Sequence, residues 1–178
     1  MEKFKLVFTG SVAAGKTTAI QAISEVDTIS TEVRPSEESI LRQKPTTTIA
    51  MDYGQVTLEG NEKLHLYGTP GQRRFDFMCS ILCEGALGLI ILINNSHEDV
   101  FTELDYYLNL NAAFLSKNPA VIGVTHYDEV NTPSIKAYQQ YLHERGDAWP
   151  VLRADARDIN SVAVLIETLM FAMEYAVD

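Results

Sequence analysis

Apolar and polar residues alternate along this chain in blocks of strand and helix length. Phe4-Lys5-Leu6-Val7-Phe8 is apolar and β-prone, predicting a strand over 3–9. Ala19, Ile20, Ala22 and Ile23 then mark a helix over 15–25. A polar stretch over 27–47 follows, holding Thr, Ser, Arg, Glu and two prolines, with no sustained apolar period. Irregular loops of that length inside a compact domain tend to be functional. Residues 49–58 and 64–67 read as strands joined at Glu59-Gly60-Asn61-Glu62, whose Gly-Asn pair is hairpin chemistry. A helix is expected over 73–84, after Pro70-Gly71. Residues 86–93 form a continuous apolar run, the mark of a central strand buried on both faces. A helix over 100–115 carries Val100, Phe101, Leu104, Leu108, Phe114 and Leu115. A second buried strand covers 120–124, a helix behind Pro133 covers 134–144, and a short strand covers 149–152. Val162, Leu165, Ile166, Leu169 and Met173 lie on one face of a final helix.

Alternating β and α units specify an α/β fold with helices on both faces of a mostly parallel sheet, a three-layer sandwich. Six strands are expected, with the second, joined to its neighbour by the hairpin, as the one antiparallel edge strand. The 178 residues show no linker, internal repeat or low-complexity segment, so one domain over 1–178 is expected.

Charge narrows the partners. Lys and Arg number 14 against 24 Asp and Glu, giving a net charge of −10. Such a field repels a phosphodiester backbone and anionic lipid alike, which argues against nucleic acid as a partner. No secretory leader or lipidation signal is read at either end, and the apolar run at 85–93 is too short to span a bilayer. The expected location is cytoplasmic, with no direct membrane anchor, so that any recruitment to a membrane runs through a partner. Cys79 and Cys83 lie four apart, on one helix face, and read as small core hydrophobes.

The chemistry is concentrated where predicted strands end. Gly10-Ser11-Val12-Ala13-Ala14-Gly15-Lys16-Thr17 matches the phosphate-binding loop G-x-x-x-x-G-K-[ST], between a strand and a helix. The nucleotide-binding set at this end is Gly10, Ala13, Ala14, Gly15, Lys16, Thr17 and Thr18. Loop amides cradle a triphosphate, Lys16 reaches the β- and γ-phosphates, and the Thr17 hydroxyl ligates Mg²⁺. Thr48 closes the long polar stretch and opens a strand, where a mobile hydroxyl can join Mg²⁺ and the γ-phosphate. Gly71, within Thr69-Pro70-Gly71-Gln72-Arg73-Arg74, offers an N–H to a γ-phosphate oxygen, and Gln72 orients the attacking water. In Thr125-His126-Tyr127-Asp128, the Asp128 carboxylate accepts two N–H bonds from the N1/N2 edge of guanine, a donor pair that adenine lacks, and His126 lies along the base. In Arg153-Ala154-Asp155-Ala156, the Ala154 N–H reaches the guanine O6.

Four such elements in this order resemble a Ras-like small GTPase of the P-loop NTPase class over essentially the whole chain. More narrowly, the stretches Thr48-Ile49-Ala50-Met51-Asp52-Tyr53 and Thr69-Pro70-Gly71-Gln72 resemble the bacterial branch that holds the MglA-type gliding-motility polarity GTPases and the GTPases encoded beside roadblock-domain proteins. The resemblance implies a polarity or signalling switch regulated by a roadblock-type or other activating protein, with an effector engaged through residues 27–53 and 68–77. Gly68 stands where the family pattern D-x-x-G has Asp, a departure this branch shares, and Asp52 on the neighbouring strand is a candidate substitute. His126 replaces the Lys of [NT]-K-x-D. Thr47 stands where the polarity GTPases carry Arg, which leaves Arg34, Arg42, Arg73 and Arg74 unranked as an intrinsic arginine finger.

The expected function is a GTP/GDP-bound, Mg²⁺-dependent GTPase, slow without an activating partner, with Gln72, Lys16 and Gly71 as its catalytic set and Thr17 and Thr48 on the metal. Two alternatives stand beside it. One is a P-loop kinase for a small molecule, and the other is a scaffold that holds nucleotide without hydrolysing it.

Overall fold

The computed structural model describes residues 4–30, 51–127 and 132–175. Its sheet has seven strands: β1 (Phe4–Thr9), β2 (Ile29–Ser30), β3 (Asp52–Thr57), β4 (Lys63–Gly68), β5 (Gly88–Asn94), β6 (Ala120–Thr125) and β7 (Val151–Arg153). Their order across the sheet is β2-β3-β4-β1-β5-β6-β7. β1 pairs in parallel with β4 and β5, and β5-β6-β7 continues in parallel, whereas β3 pairs antiparallel with both β2 and β4.

The strand count is therefore seven rather than six. The additional strand, Ile29–Ser30, lies within the stretch expected to be irregular, and it takes the edge from β3. Two residues are too few to leave a periodic signature in the sequence. Between β3 and β4, Gly60 and Asn61 both adopt positive φ within a three-residue hairpin loop, Glu59-Gly60-Asn61, that closes on the Leu58–Glu62 pair. The neighbouring carbonyls close this turn through Leu58 N to Glu62 O at 2.8 Å and Asn61 N to Leu58 O at 3.1 Å.

The alternation of strand side chains builds two cores. Val7, Leu89, Ile91, Ile93, Ile122 and Val124 face α2 (Phe77–Cys83), α3 (Val100–Leu110) and α5 (Ile135–Arg145). Leu6, Phe8, Ile90, Leu92 and Val121 face α1 (Lys16–Ile23) and α6 (Ile159–Tyr175). All seven residues of β5 are buried, because both faces of the central strand are covered. Each large side chain withdrawn from water in these cores contributes about 1.5–3 kcal/mol.

Two predicted helices are interrupted. Residues 73–84 divide into a single 3₁₀ turn, Arg73–Phe75, and α2. Residues 100–115 break at Asn111, after which one further turn, α4 (Ala112–Leu115), follows. The Asn111 side chain explains the break. Its Nδ2 donates to Tyr107 O at 2.8 Å, while its Oδ1 accepts from the Cys79 thiol at 3.0 Å. Cys79 and Cys83 are thus buried free thiols, and Cys79 is tied to a polar partner as well as packed in the core. Elsewhere the sequence marks helix ends directly: Asp99 Oδ1 accepts from Thr102 N at 3.1 Å, Ser134 Oγ from Ala137 N at 3.2 Å, and Gly146 ends α5 at φ 88°. Among the described residues no helix is long and apolar enough to cross a membrane.

β6 is sealed to α6 at Gly123, where a Cβ would lie 2.7 Å from Leu92 Cδ2 and 3.0 Å from Leu165 Cδ1. Gly123→Val should cost about 1–3 kcal/mol through overpacking. In a chain of this length that is a fall of about 2–12 °C in the thermal midpoint, which calorimetry or circular dichroism will read.

Candidate functional site

The loop from Gly10 to Gly15 leaves the C-terminal end of β1 and enters α1. Gly10 adopts φ +144°, and a Cβ there would lie 2.3 Å from Leu92 O, so only glycine fits this turn. Ala13 takes a left-handed φ of 63° and Gly15 one of 104°. The loop carbonyls are held from behind. Thr125 Oγ1, buried at the end of β6, donates to Ala14 O at 2.9 Å, and Asn94 Nδ2, from the end of β5, lies 3.5 Å from Ala13 O. No side chain caps the N-terminus of α1, so its first amides are left for an anion. Ser11 Oγ is buried without a hydrogen-bond partner among the described residues, a further spare donor within the loop.

Lys16 is 6% exposed, and its Nζ donates to the carbonyls of Gly10 at 2.7 Å and Ser11 at 2.5 Å. Burial lowers its ammonium to about 8, against the opposing pull of the Asp52 and Glu103 carboxylates. Thr17 Oγ1 donates to Asp52 Oδ2 at 2.5 Å. Asp52 is buried, pairs across the sheet with Gly68, and also accepts from Ser30 Oγ at 2.7 Å. A Cβ at Gly68 would come within 3.0 Å of Asp52 Oδ2, so a side chain at 68 and this carboxylate compete for one space. The antiparallel register thus delivers a carboxylate from β3 beside the position where the familiar pattern carries one on β4. A hydroxyl and a carboxylate converging beside a phosphate loop suit Mg²⁺, which takes one or two carboxylates together with phosphate oxygens and water. Thr17 and Asp52 are the described residues that would hold it, and Thr48 lies outside the described residues.

Gly71 packs directly on the loop. A Cβ there would fall 2.6 Å from Val12 N and 2.8 Å from Ser11 C, so the backbone after β4 touches the backbone that surrounds the phosphates. Gln72 precedes the 3₁₀ turn, and its side chain has no hydrogen bond to any described residue. Thr69 Oγ1 donates to Thr9 Oγ1 at 3.0 Å and Thr69 N to Phe8 O at 2.9 Å, which ties this segment to β1.

A cleft of about 740 Å³ runs from Ala13, Gly15, Lys16, Thr17 and Thr18 to Thr125, His126, Tyr127 and the turn from Arg153 to Asp158. The residues expected from the sequence to meet phosphate and base therefore line one cavity. His126 is exposed at φ 53°, with Nδ1 3.2 Å from Thr125 Oγ1. Asp128 lies outside the described residues. The expectation for Ala154 needs correction: its N–H donates to Val124 O at 2.9 Å, because the β6–β7 pairing runs one residue past the strand. The next amide, Asp155 N, donates to Ser161 Oγ at 2.9 Å. Hydrogen bonds from the Arg157 side chain and amide hold the Asp155 carboxyl down at about 2. Ala156, whose Cβ sits against Gly15, is the residue of this turn that reaches the phosphate loop.

With the geometry in place, comparison with known proteins decides the family. Residues 26–175, most of the chain, match the family described as "Conserved hypothetical ATP binding protein". The chain belongs to that family. The match begins beyond the phosphate loop and includes β3, β4, β6 and β7. The chain is also 33% identical over 95 residues to an uncharacterized protein of Methanocaldococcus jannaschii, covering 53% of each chain. It is 29% identical over 118 residues to Ras-related protein Rab-18 of Lymnaea stagnalis, covering 66% of this chain and 53% of that one. Ras-related protein SEC4 of Saccharomyces cerevisiae is 23% identical over 135 residues, 74% of this chain and 63% of its own length. The chain thus spans about half the length of the first two relatives and somewhat more of the third. It is a P-loop-type nucleotide-binding protein with an α/β fold and similarity to Ras-related proteins.

Sequence reasoning missed Asn94, Ser161, Tyr127 and Arg157. The run Asn94-Asn95-Ser96 directly after a wholly apolar strand was the available signal for the first. The others contact the cleft through a turn and a helix whose approach to one another is set by the fold.

The lowered Lys16 gives a direct test. Below pH about 8 the folded protein bears a buried ammonium, so its stability rises with pH between about 8 and 10.5, where the unfolded chain holds the additional proton. A bound triphosphate favours the charged form, so binding at pH 8 should take up about half a proton, falling to about a tenth at pH 7. Titration calorimetry in buffers of different ionisation enthalpy measures this, and Lys16→Ala should remove triphosphate binding altogether.

Proposed function

We propose that the protein is a GTP-binding switch that hydrolyses GTP slowly. The observation that carries this reading is the contact of Gly71 with the backbone of Ser11 and Val12, with the unengaged Gln72 next in the chain. A third phosphate lying in the loop would meet the Gly71 N–H, whereas a diphosphate would not. Lys16 and the loop amides bind and orient the phosphates. Gln72 holds the water. Its oxygen bonds to the γ-phosphorus as the bond to the β–γ bridging oxygen breaks, the electron pair leaves with GDP, and the water's proton passes to the released phosphate. Mg²⁺, when bound, draws charge from the phosphate oxygens, and Thr17, Asp52 and Thr48 are its protein-side candidates. Turnover without a partner belongs at the slow end for such switches, ~10⁻⁴ to 10⁻² s⁻¹.

Guanine is assigned from Thr125-His126-Tyr127-Asp128, read as a base motif at the end of β6. A second reading, ATP as the nucleotide, is favoured by the description of the family to which the chain belongs. Residues 27–53 and 68–77 are proposed as the surface for an activating partner and an effector, a roadblock-type regulator among them, in a cytoplasmic polarity or signalling role. The small-molecule kinase reading would require an acceptor site beside the phosphate loop.

Competition binding should show GTP preferred over ATP by at least tenfold, with Asp128→Asn shifting preference toward xanthosine triphosphate. Equal displacement by ATP would favour the second reading. Gln72→Leu should leave GTP affinity nearly intact and slow single-turnover hydrolysis at least tenfold, about 1.4 kcal/mol of barrier. An unchanged rate would remove Gln72 from the mechanism.

A further inference from the structure

The lysine and arginine side chains that line the cleft are Lys16, Arg153 and Arg157, and two of them are already engaged. Lys16 bonds the carbonyls of Gly10 and Ser11. Arg157 spends Nε and Nη2 on the Asp155 carboxylate, at 2.9 and 2.8 Å. Arg153 differs. Its guanidinium carbon lies over the Tyr127 ring, 3.9 Å from the centroid, and it makes no hydrogen bond or ion pair to a described residue. The ring beneath it is fixed. Tyr127 packs against the core that contains Val124 and Tyr138, and its hydroxyl accepts from Ile135 N at 3.2 Å, at the start of α5. Arg153 is brought there by register: it pairs with Val124 across β6 and β7, three residues before Tyr127.

The donors around it are spent. The Ala154 N–H goes to Val124 O at 2.9 Å and the Asp155 N–H to Ser161 Oγ at 2.9 Å, so neither is free for a base. A triphosphate held by the loop extends its base into the part of the cleft away from Lys16, where His126, Tyr127 and Arg153 lie. Guanine presents two neighbouring acceptors there, O6 and N7, whereas adenine puts an amine in place of O6. A guanidinium only donates, so it bonds the first edge in two places and is opposed by the amine of the second. The aromatic seat limits the freedom that a long side chain would otherwise lose on binding.

We infer that Arg153, seated on Tyr127, donates to the O6/N7 edge of guanine and replaces the Ala154 amide as the donor that separates GTP from ATP. This rests on the proposed GTP reading. Tyr127 is a positioning residue, which holds the guanidinium toward the cleft without touching the base edge itself.

The test is equilibrium binding by the full chain of four triphosphates: GTP, ATP, inosine triphosphate, which keeps O6 and N7 but lacks the 2-amine, and 2-aminopurine riboside triphosphate, which lacks O6. Arg153→Ala should weaken GTP and inosine triphosphate at least tenfold, and ATP and the 2-aminopurine nucleotide less than about threefold. Arg153→Lys, which keeps charge without the fork, should also weaken GTP more than the 2-aminopurine nucleotide. It decides the matter if Arg153→Ala lowers the unfolding midpoint. Tyr127→Phe, which keeps the ring, should retain the preference for GTP over ATP. Tyr127→Leu should reduce it several-fold, with no further reduction in the Arg153→Ala background. Equal weakening of all four nucleotides by Arg153→Ala, or no weakening of GTP, would overturn the inference and leave the GTP reading intact, as would a preference unchanged by Tyr127→Leu. A wild-type chain that binds ATP as tightly as GTP would overturn the reading and this inference with it.

Discussion

The phosphate loop of this protein depends on its carbonyls being held away from the cleft. A loop can present its amides to an anion only if its carbonyl groups find partners on the other side. Thr125 Oγ1 supplies one to Ala14, Asn94 lies beside Ala13 O, and Lys16 itself bonds the carbonyls of Gly10 and Ser11. Asn94 and Thr125 sit at the C-terminal ends of β5 and β6, paired with each other across the parallel ladder. The buried central strands therefore do more than form a core. They fix the height at which two polar side chains meet the loop, and with it the direction of the amides.

The same logic links the loop to the elements beside it. Asp52 reaches Thr17 because the β3–β4 hairpin sets an antiparallel register that places it opposite Gly68. Gly71 reaches Val12 because β4 and β1 are parallel neighbours and both end at the cleft. Two segments thus converge on the phosphate loop from one side of β1, while the ends of β6 and β7 line the other part of the cleft. A third phosphate would be read by parts of the chain that are remote in sequence and rigidly related through the sheet.

Much of this was legible beforehand. The order of strands and helices followed from apolar periodicity, and the phosphate loop from its glycine and lysine spacing. Asp52 could be named as a counterpart to Gly68 because a hairpin between them fixes which residues face one another. What escaped was set by tertiary geometry. Ile29–Ser30 is too short for a period to show. Asn111 breaks a helix because a cysteine on another helix bonds its side chain. The Ala154 amide is withdrawn from the cleft because strand pairing extends one residue further than the apolar run implies. Thr48 and Asp128 were named from the sequence and lie outside the described residues, so the metal-side hydroxyl and the base-reading carboxylate rest on sequence order.

The central claim is that a third phosphate, read at Gly71 and at the Thr17–Asp52 pair, changes the state of the segments that contact them. Hydrogen exchange of the protein loaded with GDP against a non-hydrolysable GTP analogue addresses it most directly. The account predicts greater protection of residues 68–77 and of the amides around Asp52 in the triphosphate state, with the central strand β5 unchanged. Equal protection of those segments in the two states would contradict it and leave a static nucleotide-bound scaffold.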